Sequence, residues 1–396
     1  MRGMDSIIIA SAVRTAIGRY GGTLKDVEAS VLATRVIQES VVRAGITPEQ
    51  VDEVILGEVR QTTMASNVAR VAALRAGIPE TSPAFSINRL CASGMQAIAS
   101  GVQQIMSGQA EIVIAGGTEN MSQAPIYLRG SRFGGDAAVL VDSNKENGQQ
   151  PKEIYGEHLG MGITAENVAE KYGVSREDQD AFAIESQQRT ARAVHQQLFE
   201  EEIAPVEVPN KKGPVTFKTD EHPRPESTYE KLSQLKPAFR KSGTVTAGNA
   251  CGRNDGAAAV VLMRESKAKE LGITPMARIT DWAAAGVSPE IMGIGPVPAV
   301  RKLLERTGKS IEDIDLFEVN EAFASQALAV IRELGLDSSK VNVNGGAIAL
   351  GHPLGATGAR ITVSLLHEMK RSGKKTGIST LCIGGGQGMA LMLELV

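Results

Sequence analysis

The sequence predicts an α/β fold built from two similar halves, with a long lobe inserted in the first. Three observations carry this. Strand-like and helix-like segments alternate toward both ends of the chain, the texture turns polar between about Met121 and Val245, and the segments flanking that stretch share an outline. Alternation of this kind argues for a mostly parallel sheet covered by helices on both faces. The composition agrees: 42% hydrophobic, 22% charged and only 4% aromatic residues over 396 positions, with Ala, Val, Ile and Gly abundant, suits buried sheets and tight helix contacts rather than disorder.

In order, Ser6–Ala12 is apolar and β-branched and reads as a strand. Ala29–Ala44 has helical periodicity and stops at Gly45, a natural C-terminal cap. Val54–Val59 is a strand, Ser66–Ala76 a helix ending before Gly77, Pro83–Asn88 a strand, Ala92–Ser107 a helix and Glu111–Ala115 a strand. The polar stretch holds helices over Thr164–Tyr172 and Arg176–Phe199 and is too long and too patterned to be a linker. Beyond it come strands at Ala257–Met263 and Ala277–Ala284, a helix at Pro298–Thr307, a strand at Ile314–Val319 and a helix at Glu321–Leu334. Val341–Asn344, a helix over Gly355–Ser372 and a strand pair, Thr376–Ile383 and Gly388–Leu395, complete the chain. The halves correspond in outline: each brings a candidate reactive residue to the start of a helix and then runs a strand into glycines, Gly116-Gly117 in one and Gly384-Gly385-Gly386 in the other.

A net charge of −3 and the lack of a Lys/Arg block give no sign of a nucleic-acid surface. Three distant cysteines, Cys91, Cys251 and Cys382, form no CxxC pair, so neither a disulfide framework nor a zinc site is expected. The apolar run near the N-terminus is too short for a signal peptide or a membrane span, and the last residues are not Ser-Lys-Leu, so a cytoplasmic location is expected. Gly308-Lys309-Ser310 lacks the upstream glycine of a phosphate-binding loop, because position 303 is Leu303.

Four constellations carry chemistry. Cys91 follows a strand and opens a helix of small residues, Ala92-Ser93-Gly94; a helix N-terminus there favours the thiolate. A buried structural cysteine is the alternative. His352 sits in the Gly-rich bend Asn344-Gly345-Gly346 to Gly351-His352-Pro353, where backbone can approach a ligand and imidazole can take a thiol proton. The other histidines, His158, His195, His222 and His367, lie in polar or helical stretches and are expected at the surface. Cys382 ends a strand before Gly384-Gly385-Gly386, placing a possible acid/base beside backbone N–H groups that bind an anion. Asn320, in Asn320-Glu321-Ala322-Phe323, is either a helix N-cap or an amide that fixes a water or carbonyl.

Together and in this order these motifs resemble the thiolase family. The resemblance spans essentially the whole chain and includes Glu166–Ala169, Thr246-Ala247-Gly248-Asn249 and Asn254-Asp255-Gly256. It implies a five-layered αβαβα fold, with residues 1–121 and 246–272 as the N-terminal half, 122–245 as an inserted, CoA-binding loop lobe and 273–396 as the C-terminal half. It implies reversible Claisen condensation of two acetyl-CoA to acetoacetyl-CoA and CoA. By resemblance Cys91 carries the acyl group, His352 activates it, and Cys382 moves the proton of the acetyl methyl. One oxyanion hole would be formed by His352 with a water on Asn320, the other by the N–H groups of Cys91 and Gly384. Met161, Phe239, Ala247, Gly248, Cys251 and Met292 would grip the CoA arm. No cofactor besides coenzyme A as substrate and product, no metal, no nucleic acid or membrane partner, and a homodimer or homotetramer are implied.

Two positions depart from the acetoacetyl-CoA-specific pattern. Cys251 stands where a serine is usual, and Gly160 where a histidine usually precedes Met-Gly. A glycine there would widen the acyl tunnel, which keeps a broad-chain 3-ketoacyl-CoA thiolase open as an alternative. A decarboxylating synthase of related fold would use two histidines where this chain has His352 and Cys382. A non-catalytic acyl-CoA or lipid-binding protein would be expected to lose a reactive residue, and none is lost.

Overall fold

The computed structural model describes residues 5–134, 138–146 and 148–396. The first half contributes β1 (Ile7–Arg14), α1 (Ala29–Ala44), β2 (Glu53–Gly57), α2 (Val68–Arg75), β3 (Ala84–Ile87), α3 (Ser93–Met106), β4 (Ile112–Asn120) and β5 (Asn254–Arg264). Between β4 and β5 lies the inserted lobe, with α4 (Met161–Lys171), α5 (Arg176–His195) and two small hairpins. The second half runs β6 (Ala277–Gly286), α6 (Pro296–Thr307), β7 (Leu316–Val319), α7 (Ala324–Leu334), α8 (Leu354–Ser372), β8 (Thr376–Ile383) and β9 (Gln387–Leu395). Helix α1 stops where expected, at Gly45 with φ 70° and its N–H on the carbonyls of Val41 and Val42.

Strand order is β7-β8-β9-β6-β1-β5-β4-β2-β3. A mostly parallel sheet was the sequence expectation, and the structure corrects it. Only β7–β8, β4–β2 and β2–β3 pair in parallel; the five central pairings are antiparallel. The reason is the β8–β9 connection, a turn at Gly384–Gly386 in which Gly385 and Gly386 have φ of 77° and 84°; so short a link permits only an antiparallel pair. Strand β4 also continues through Gly116-Gly117 to Asn120 instead of stopping before them.

The two halves repeat each other in space. In chain order the first half's strands lie third-second-fourth-fifth-first, and so do the second's, where an isolated parallel bridge between Val341 and Phe317 takes the place of the third strand. Even the register shifts match: β1 slips against β5 between Ile9 and Ser11, and β6 slips against β9 between Ile279 and Asp281. In this scheme the lobe occupies the position of the Gly384–Gly386 turn, joining strand ends that are already neighbours (Asn120 opposite Asp255).

Burial explains the layers. Alternate residues of β1 face opposite ways: Ile8 and Val13 pack with α1 and α2, whereas Ile7 and Ile9 pack with α3 and α8. Helices α6 and α7 cover the outer face of the second half. The result is helices, sheet, central helices, sheet, helices. Helices α3 and α8 touch backbone to backbone at their first turns: a methyl on Gly94 would stand 2.8 Å from the Ala359 nitrogen, and one on Gly358 2.5 Å from that of Met95. Two helix N-termini therefore converge at one point.

Candidate active site

Cys91 and His352 occupy equivalent places on these helices, each two residues before the first helical one. Leu90, just before Cys91, has φ 48°, a costly conformation for a side-chain-bearing residue. Asn88 Oδ1 accepts from the Leu90 N–H at 2.9 Å, while Ser93 Oγ accepts from the Arg89 N–H at 2.9 Å and donates to the Leu90 carbonyl at 2.6 Å. Local polar groups thus hold the strained turn that presents the sulfur. The backbone N–H groups of Gly384 and of Cys91 itself lie within hydrogen-bonding reach of that sulfur.

The helix N-terminus predicts a thiolate at Cys91, and here the structure differs. Burial pushes the thiol above its ordinary value, Glu119 adds to the rise, and the two N–H groups and Arg60 only partly oppose it. His352 is buried and pushed down to about 3, first by burial and then by the Arg360 charge. Both partners therefore rest neutral. His352 Nδ1 lies 2.7 Å from Thr357 Oγ1, which itself donates to the Pro353 carbonyl at 2.8 Å. A hydroxyl already donating can only accept, so Nδ1 carries the proton and Nε2 has the free lone pair of a base. The His352 N–H donates to Asn254 Oδ1 at 2.9 Å, and Gly351 (φ 104°) packs its α-carbon against that same amide.

Cys382, near the end of β8, is 1% exposed; burial and then the neighbouring Cys91 and Cys251 push its thiol well up. Cys251 rises to about 12, again by burial first. Asn320 follows β7, its N–H donating to the Thr380 carbonyl at 2.9 Å. It is not the N-cap of α7, which starts at Ala324 after Phe323. Its amide oxygen and nitrogen are both buried without a partner among the described residues.

One cavity of about 540 Å³ is lined by Cys91, His352, Cys382 and Gly384, together with Met161, Phe239, Cys251, Met292, His158 and Gly160. Phe239 stands edge-on to Phe323, ring centres 6.2 Å apart, and its ring fills the space a side chain at Gly162 would need. Arg60, Lys145 and Arg253 add positive charge to the lining. Asn320, Ala247 and Gly248 are not part of this wall; Ala247 is exposed beside Val245 and Thr246, which are buried. Of the histidines expected at the surface, His195 and His158 are exposed. His367 is buried, its Nε2 2.9 Å from the Ala12 carbonyl, and His222 is pushed down to about 4 by burial and Arg224.

Sequence reasoning missed three residues. Thr357 sets the tautomer of His352. Glu58 follows β2 as Asn320 follows β7, and Glu119 lies on β4 as Cys382 lies on β8, each two places beyond a matched strand pair, Gly57 with Gly117 and Val319 with Thr380. The signal was the duplication, which becomes residue-specific only once strand register is known.

Comparison with known proteins bears on this site. A family profile described as the thiolase N-terminal domain matches residues 7–266, and one described as the thiolase C-terminal domain matches residues 273–395. The chain is 54% identical over 395 residues to an acetyl-CoA acetyltransferase of Cupriavidus necator, covering 99% of this chain and 100% of that one. It is 53% identical to an acetyl-CoA acetyltransferase of Pseudomonas aeruginosa, with 98% and 99% covered. Among solved structures, the Bacillus anthracis acetyl-CoA acetyltransferase superposes with a TM-score of 0.96 at 50% identity, covering all of both chains. Human mitochondrial 3-ketoacyl-CoA thiolase in complex with CoA superposes with a TM-score of 0.94 at 47% identity, covering 99% of this chain and 98% of that one.

Proposed function

This chain belongs to the thiolase family, and we propose that it is an acetyl-CoA C-acetyltransferase that condenses two acetyl-CoA into acetoacetyl-CoA and CoA and runs the reverse thiolysis. One observation carries the reading: a single cavity gathers a cysteine with two N–H groups at its sulfur, a neutral histidine of set tautomer and a second, buried cysteine.

The chemistry follows from those groups. His352 Nε2 takes the Cys91 proton as the sulfur attacks the thioester carbonyl; the Cys382 thiol gives its proton to the departing CoA sulfur, so CoA leaves as a thiol, acetyl stays on Cys91 and Cys382 is left as the thiolate. A neutral pair suits this step, because no ion pair has to be broken before attack. The thiolate of Cys382 then takes a methyl proton from the second acetyl-CoA. The enolate oxygen is held by His352 and by a water on Asn320, whose buried amide has no partner among the described residues. Carbon attacks the Cys91 thioester, its oxyanion accepts from the N–H groups of Cys91 and Gly384, and the Cys91 sulfur leaves and regains its proton from His352, which restores the neutral pair. Electrons and protons balance without a cofactor. Met161, Phe239, Cys251 and Met292 flank the acyl–pantetheine arm, with Ala247 and Gly248 farther out, and Arg60, Lys145 and Arg253 attract the phosphates.

A broader substrate range is a second reading, favoured by Gly160 in the cavity wall and by the likeness to a 3-ketoacyl-CoA thiolase. As part of the same thiolase reading we propose a cytoplasmic dimer or tetramer. No helix among the described residues is long and apolar enough to cross a membrane. Thiolysis rates with four-carbon acetoacetyl-CoA and with longer 3-ketoacyl-CoA substrates test both readings. Activity confined to four carbons would leave Gly160 without this consequence; no activity lost on Cys91→Ala would remove the proposal itself.

A further inference from the structure

The buried carboxylate Glu119 has no cationic partner in an ion pair among the described residues, yet both its oxygens are engaged. Oε2 accepts from the N–H of Val59 at 3.1 Å and of Gly355 at 2.8 Å, and Oε1 accepts from the N–H of Arg60 at 2.9 Å. Val59 and Arg60 follow β2 and line the cavity beside Cys91; Gly355 is in the first turn of α8, three residues after His352. A methyl on Gly355 would come within 2.6 Å of the Thr118 carbonyl, so that turn sits directly on β4. One carboxylate therefore ties the cavity wall of the first half to the helix start that carries the base of the second.

From this geometry we propose that Glu119 is a positioning residue for the acetyl-transfer reaction, clamping the His352 end of α8 against the Cys91 side of the cavity. The proposal rests on the thiolase reading above. The internal repeat supports it independently: Glu119 occupies the strand position that Cys382 occupies in the other half. The duplicated site has thus kept a reacting group at one copy and holds a clamp at the other. Three N–H donors on two oxygens suit an ionised carboxylate, and a glutamine cannot replace it, because its NH₂ group would face at least one N–H. The charged and titratable groups near Glu119 are Glu58 and Arg60, and those near the Cys91 sulfur are His352, which lines the same cavity and stays neutral, with Glu119, Arg60, Cys251 and Cys382.

The test uses the full chain, with acetoacetyl-CoA thiolysis and iodoacetamide alkylation of Cys91 measured across pH. Glu119→Gln is expected to lower kcat roughly tenfold to a hundredfold, as misplacement of a base does, with KM changed little. Loss of the negative charge should at the same time move Cys91 alkylation to lower pH, so the sulfur becomes more reactive while turnover falls. Glu119→Asp keeps the charge and shortens the reach, so kcat should fall with no displacement of the alkylation profile. A purely structural residue would slow both readouts together or neither. Wild-type kcat in Glu119→Gln, parallel losses in both readouts, or failure of both variants to fold would overturn the proposal. Inactive wild-type protein would instead overturn the functional reading on which it rests.

Discussion

At the scale of single residues, the site depends on neutral groups held in defined proton states. Thr357 accepts the Nδ1 proton of His352, so Thr357→Val leaves the tautomer unspecified and a buried N–H unpaired. The expected loss is about 1.5–3 kcal/mol of transition-state stabilisation, roughly tenfold to a hundredfold in kcat, read from steady-state thiolysis. Burial raises the Cys91 thiol above its ordinary 9.0, so iodoacetamide inactivation of the free enzyme should keep accelerating beyond pH 9.0; a plateau near neutrality would contradict this. Cys91, His352 and Cys382 were legible in sequence because reactive side chains beside glycines at strand–helix junctions are an unusual pattern. Their proton states were not. A helix dipole can be read from a sequence, but the desolvation that outweighs it at Cys91 comes from elements hundreds of residues apart. Nor could sequence show that Thr357 holds the His352 ring or that Glu119 bonds the N–H groups of Val59, Arg60 and Gly355, since hydroxyls and carboxylates are common and only their packing here distinguishes them.

At the scale of elements, the α3–α8 crossing makes the site. Gly358→Ala would put a methyl 2.5 Å from the Met95 backbone nitrogen, and backbone cannot yield as a side-chain tip can. The helices must part, at a cost of about 1–3 kcal/mol in stability by denaturant titration. Because Cys91 and His352 ride on the two helix starts, kcat should fall more than KM rises. Most elements were legible from periodicity and from glycine stops such as Gly45. Strand direction was not, because alternation of strand and helix says nothing of how the fifth strand returns; that is decided by the Gly384–Gly386 turn and, in the first half, by the lobe that replaces it. The third strand of the second half, reduced to the Val341–Phe317 bridge, carries no strand signal of its own.

At the scale of the whole molecule, a duplicated fold brings two strand-to-helix junctions together and lets them diverge, cysteine on one and histidine on the other. Placing so many polar groups at the junction of two cores leaves a trace in stability. Burial, and then Glu119, push Glu58 up from 4.5 to about 8. The folded protein holds a proton there that the unfolded chain releases, so this group's contribution is present below pH 4.5 and is lost as pH rises toward about 8. Glu58→Gln should accordingly gain in melting temperature relative to wild type across that window and show no further gain above it. The central claim, that acetyl transfer passes through Cys91 with the other two cysteines in different roles, is tested most directly by mass spectrometry of peptides after brief incubation with acetyl-CoA. The expected result is a single acetyl group on the peptide containing Cys91, discharged as acetyl-CoA when free CoA is added. Acetyl on Cys251 or Cys382 instead, or turnover without any acetyl on Cys91, would contradict it.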